Sequence, residues 1–164
     1  MNMRLLPVVI VSLAIMVLAS CGVYTFTPGG QSKIKTIAVE RFENRTAEYG
    51  LEDVMTDQII DAFIADGNLK VVSRENADAV LNGILTRYDR RAHDPDENDL
   101  VTSYAINMYF DITLTNPADN TEIWSEKLTQ IGVYQLETQS EADGQQAAIG
   151  LLIEAIINKT TKSW

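Results

Sequence analysis

The chain has 164 residues, about one domain's worth, with 13 Lys and Arg against 23 Asp and Glu and a net charge of −10. That acidity repels phosphate backbones and argues against a nucleic-acid partner. A single cysteine, Cys21, excludes an internal disulfide.

Residues 1–20 have the order of an export signal: one charge at Arg4, an apolar run from Val8 to Leu18 broken only by Ser12, then small residues at Ala19 and Ser20. The apolar run is roughly eleven residues, short of the roughly 20 that span a bilayer as a helix, although a membrane-spanning anchor is the alternative reading. The stretch Leu18-Ala19-Ser20-Cys21 resembles the bacterial lipobox. By that resemblance the Cys21 thiol carries diacylglycerol as a thioether, its freed amine is acylated, and no other cofactor is needed. Acyl burial contributes about 0.8 kcal/mol per CH₂, and more than one chain makes a stable anchor. By resemblance to enterobacterial lipoproteins, retention at the inner membrane would usually call for Asp after the cysteine, so Gly22 directs the expectation to the outer membrane. Residues 21–32, with Pro28, Gly29 and Gly30, read as a lipidated tether, and residues 33–164 as a single domain.

Lys33 to Phe42 is β-rich with apolar residues on both parities, as in an interior strand. Asn44 to Gly50 turns the chain. Leu51 to Ala65 reads as a helix, with Leu51, Val54, Met55, Ile59 and Phe63 on one stripe that Ile60 and Ile64 widen, and Asp66-Gly67-Asn68 as its left-handed stop. Leu69 to Val72 is a short strand, and Ala79 to Arg91 a long one in which Gly83 marks a bulge or a close helix contact. Residues 103–114 alternate without a break, Tyr104, Ile106, Met108, Phe110, Ile112 and Leu114 taking one side. After a turn at 116–120, Thr121 to Tyr134 returns as a strand with Gly132 as a kink. Ser140 to Thr161 closes as a helix with Ala148, Leu151, Leu152, Ala155 and Ile156 on one side. The fold expected is α+β: two helices on one face of a mixed, mostly antiparallel four- to five-stranded sheet.

Signals for catalysis are sparse. His93 is the only histidine, and it stands in an acidic loop; a Ser-His-Asp site would depend on it. A hydrolase working with two of the many carboxylates stays open. Asp94, Asp96 and Asn98 match the first ligands of a calcium loop, but Asp99 replaces its glycine and Ala105 stands where its bidentate Glu belongs, so no metal site is expected. Arg87, Arg90 and Arg91 cluster at the end of one strand, with Arg87 and Arg91 on one face and Arg90 on the other. Arginine forks bind phosphate or carboxylate, so these three are candidates for contact with an anion; pairing with Asp89, Asp94, Asp96 and Asp99 is the alternative.

Three segments, IKTIAVERFENRTAEYGLEDVMTDQIIDAFIADGNLKVV, ADAVLNGILTRYDR and EIWSEKLTQIGVY followed by a final helix ending IINKTTKSW, together resemble the lipopolysaccharide-assembly lipoprotein family called LptE. The resemblance implies two helices against a mostly four-stranded sheet and a non-enzymatic role. It implies a lipoprotein that plugs and supports an LptD-like outer-membrane β-barrel and helps deliver lipopolysaccharide to the outer leaflet. The strand-helix opening also suits an envelope lipoprotein that docks and regulates a periplasmic enzyme such as a peptidoglycan synthase.

Overall fold

The structure, a computed structural model, describes residues 34–162 apart from Asp96, Asn98 and Asp99. The expected signal and tether, Cys21 included, lie outside the described residues. The elements are β1 (Thr36–Val39), β2 (Glu43–Asn44), α1 (Leu51–Asp66), β3 (Lys70–Val71), a 3-10 turn (Arg74–Asn76), β4 (Ala79–His93), β5 (Ser103–Thr115), β6 (Glu122–Gln135) and α2 (Glu141–Lys162). The sheet runs β3-β1-β4-β5-β6, and β2 joins β4 beyond the end of β1. β1 pairs in parallel with β3 and β4, whereas β4, β5 and β6 form a long antiparallel meander.

The parallel pairing of β1 with β3 requires a crossover, and α1 supplies it. Gly67 stops the helix as its sequence implies: at φ 69° it turns left-handed and its N–H bonds the Phe63 carbonyl at 3.1 Å. At the start of β4, Asp78 accepts the backbone N–H groups of Lys35 and Thr36, both at 2.9 Å. That carboxylate fixes the chain's entry at the same end of the sheet where β4 begins.

The alternation in β5 sends Ile106, Met108, Phe110, Ile112 and Leu114 to the face covered by both helices. There they meet Leu81 and Leu85 of β4, Met55, Ile59 and Phe63 of α1, and Ala148, Leu152 and Ile156 of α2. Among the described residues no helix covers the opposite face, which carries Asn107, Tyr109, Asp111 and Thr113 at intermediate exposure.

Several local expectations are corrected. The first strand ends at Val39, because Phe42 leaves it to pack over Gly83, where an added Cβ would stand 2.0 Å from its ring. Gly83 therefore makes room for the Phe42 ring rather than for a helix, and the bulge falls between Leu85 and Arg87. Val54 and Ile64 of α1 and Leu151 of α2 are exposed, since each helix lies flat on the sheet and buries a narrower stripe. Thr56 takes the extra buried place on α1; its hydroxyl donates to the Glu52 carbonyl and accepts from the Phe42 N–H. Gly132 is no kink: the register runs through it unbroken, and its bareness admits the backbone of α2.

Candidate functional site

The residues with chemistry to offer gather where the meander is farthest from the chain's entry. There β4 carries Arg87, Tyr88, Asp89, Arg90 and Arg91 opposite Met108, Tyr109 and Asn107 of β5. As the strand period dictates, Arg87 and Arg91 share the uncovered face and Arg90 the helix-covered one.

On the uncovered face, one carboxylate serves two guanidinium groups. Asp89 Oδ2 is 2.6 Å from Arg87 Nη2 and 3.5 Å from Arg91 Nη2. Arg87 also lies over the Tyr109 ring, 4.0 Å from its centroid, a cation–π placement that holds the group flat on the sheet. The trio keeps one net positive charge. Further down the same face Lys127 and Asp111 are 4.0 Å apart, and Thr113 and Ser125 share a hydrogen bond across the strands.

On the covered face, Arg90 donates to Glu141 Oε2 at 2.7 Å and lies 5.1 Å from the centroid of Tyr104, which stacks on Tyr134. Glu141 is the first residue of α2, and its other oxygen accepts the Tyr88 hydroxyl at 2.5 Å. Gln145, one turn on, donates to the same hydroxyl. Burial and the bond to Glu141 push the Tyr88 phenol far above its usual range, so it stays a donor. The neighbouring Glu141 charge likewise raises the pKa of Arg90. Ser140 donates its N–H and its hydroxyl to Asp143, half of a capping box that fixes where α2 begins and hence where Glu141 stands.

The face assignment of the three arginines thus follows the sequence. Asp89 is the partner of Arg87 and Arg91, as the sequence allows, but the partner of Arg90 is Glu141, far along the chain. Tyr88, Tyr104, Tyr109 and Tyr134 also escape sequence reasoning; the alternation of β5 places Tyr104 and Tyr109 on faces, but only the register sets an arginine over each. The FENRT stretch proves structural: Phe42 packs on Gly83, and Asn44 holds the turn by accepting from the Thr46 N–H and hydroxyl and donating to the Glu48 carbonyl. His93 is exposed at the end of β4 and Asp94 is exposed with φ 48°, while Asp96, Asn98 and Asp99 lie outside the described residues. Among the described residues no group of three His, Cys, Asp or Glu side chains is placed to hold a metal, and no helix is long and apolar enough to cross a membrane.

The domain is thus an acidic α+β fold whose arginines and tyrosines gather at one end of a half-covered sheet. The chain belongs to the LptE family of lipopolysaccharide-assembly proteins, whose family model matches residues 34–160. That membership makes it an envelope protein of lipopolysaccharide assembly, in a family that is in general not enzymatic. Among solved structures it is similar to protein XCC0632 from Xanthomonas campestris, with a TM-score of 0.60 and 13% identity over 79% of this chain and 86% of that one. Protein CT253 from Chlamydia trachomatis gives 0.58 and 12%, covering 79% of this chain and 99% of that one. Uncharacterized lipoprotein B from Nitrosomonas europaea gives 0.53 and 13%, covering 78% and 83%. At these identities the likeness is one of fold. A search of curated protein sequences finds no match.

Proposed function

We propose that this chain is a lipid-tethered, non-catalytic subunit that sits within an LptD-like outer-membrane β-barrel and helps deliver lipopolysaccharide to the outer leaflet. The observation that carries the reading is the family match across residues 34–160, nearly the whole described domain. The uncovered sheet face supports it, since its charges are paired within the chain apart from the one net positive charge of the Arg87-Asp89-Arg91 trio, and such a surface suits the polar lumen of a barrel. Cys21 is the anchor in this reading, acylated on sulfur and amine and seated in the outer membrane. Arg87 and Arg91 are the candidates for direct contact with lipopolysaccharide phosphate; Arg90 is engaged by Glu141.

The test is purification of the tagged, full-length chain from membranes. Co-purification of a large β-barrel, together with loss of surface lipopolysaccharide on depletion, is the expected result. Recovery of a soluble periplasmic enzyme instead, with lipopolysaccharide export intact, overturns the proposal in favour of a regulatory lipoprotein. The variant Cys21→Ala should leave the membrane fraction and appear in the periplasm.

A further inference from the structure

The described sheet has unpaired edges at β2, β3, β4 and β6, and they are not alike. β2 and β3 are two residues long. The free side of β4 beyond Leu85 is dense with charge at Arg87, Asp89, Arg90 and Arg91. Short length and charge are the usual devices that keep a sheet edge from pairing with another chain. The upper part of β6 has neither. From Leu128 through Leu136 there is no Asp, Glu, Lys, Arg or His, and no proline.

The hydrogen-bond phase shows which groups this edge presents. The Leu136 N–H bonds the Thr102 carbonyl at 3.0 Å, so residues 102 and 136 form a bonded pair. Bonded and non-bonded pairs alternate in an antiparallel ladder, and the register to β5 is unbroken here. Tyr134, Gly132 and Gln130 therefore bond inward to β5, whereas Gln135, Val133, Ile131 and Thr129 turn their N–H and C=O groups outward. The phase is confirmed at Gln135, whose outward N–H is taken by the Gln139 side chain at 2.9 Å and whose carbonyl accepts the Gln139 N–H. Below it, the outward groups of Thr129, Ile131 and Val133 meet no strand among the described residues.

Two exposed apolar side chains flank this row. Ile131, 49% exposed, stands on the uncovered face. Leu151 of α2, 45% exposed, stands above the edge. Its place follows from the helix: Gln146 faces α1 through paired amide bonds with Gln58, and Leu151 lies about 140° further round, on the flank away from α1. Since α1 packs on β1 and β3 and α2 on β5 and β6, that flank overhangs the rim of β6.

We propose, resting on the barrel reading above, that the β6 edge at Thr129, Ile131 and Val133 takes an extended, uncharged strand from the barrel partner. The recognition is strand addition: main-chain bonds give the register, and the added strand is capped from above by Leu151 and flanked below by Ile131. A second copy of the chain fits this edge poorly. The α2 backbone lies directly on Gly132, so two-fold pairing there sets two such helices over neighbouring strands about 4.8 Å apart, against the 8–10 Å that packed helices need. The occupant must arrive without a helix above it, as an extended segment does.

The test uses the full-length, membrane-anchored chain. Ile131→Pro removes an outward N–H that β5 does not use, and Thr129→Lys with Val133→Lys puts charge on the edge without touching the core. Each should lower recovery of the barrel by about tenfold or more while the melting temperature of the domain holds. If Ile131→Pro misfolds, the lysine pair decides alone. A photo-cross-linker at Thr129 should join a single site in the barrel. Equal recovery of the barrel by wild type and the lysine variant overturns this inference and leaves the assembly role standing. Failure of the wild type to bring down any barrel overturns both. A cross-link between two copies of the chain overturns it in favour of self-pairing.

Discussion

The carbonyl oxygen of Gly144 in α2 lies 1.8 Å from where a Cβ on Gly132 of β6 would stand, so helix and strand touch backbone to backbone. The obstacle to a side chain is main chain, which cannot rotate aside. Gly132→Ala is expected to lift the first turns of α2 and destabilise the domain by about 1–3 kcal/mol or more, read in urea unfolding.

At Gly83 the obstacle is different. An added Cβ meets the Phe42 ring at 2.0 Å, and a ring is replaceable. Gly83→Ala is expected to cost about 1–3 kcal/mol through overpacking, and Phe42→Ala about 3–5 kcal/mol through the cavity it leaves. The double variant should be clearly more stable than the sum of the two costs implies, because each removes the other's defect.

Glu141 joins α2 to β4 through Arg90 and Tyr88. Glu141→Gln keeps an acceptor for Tyr88 and loses the ion pair. Because both groups of that pair are partly exposed, its coupling in a double-mutant cycle with Arg90→Met should be small. Hydrogen exchange should nevertheless quicken in the first turn of α2 in Glu141→Ala, where Tyr88 loses its acceptor as well.

Acid should loosen the entry end of the sheet. The backbone N–H of Lys35, with further bonds from Thr36, holds the Asp78 carboxylate below its ordinary value of 3.8. A pKa lowered in the folded state contributes stability that is complete above the unfolded value and is lost as pH falls through the folded one. Unfolding free energy should therefore decline below about pH 4, and Asp78→Asn should flatten that decline while lowering stability at neutral pH. Asp143, lowered by its bonds from Ser140, adds a change of the same sign at α2.

Much of the architecture is legible in the residue pattern. Unbroken alternation in β5 fixed its faces, Gly67 fixed the end of α1, and two parities fixed where Arg87, Arg90 and Arg91 point. What escaped is what depends on distant pairing. Glu141 is 51 residues from Arg90, and nothing near either announces the other. Val54, Ile64 and Leu151 lie at apolar spacing yet face outward, because periodicity shows the middle of a stripe better than its margins. Gly132 reads as a strand defect until the helix above it is known. The bareness of the β6 edge is visible as an uncharged run in the sequence, but its meaning needs the knowledge that among the described residues β6 has a neighbouring strand on one side only.

The chain enters beside Asp78, and β4 then climbs for 15 residues to His93. At about 3.3 Å per residue that reach is about 45 Å, greater than the roughly 30 Å depth of a bilayer's oily interior. A mast of that height holds its arginine-bearing head far from the Asp78 carboxylate at its foot.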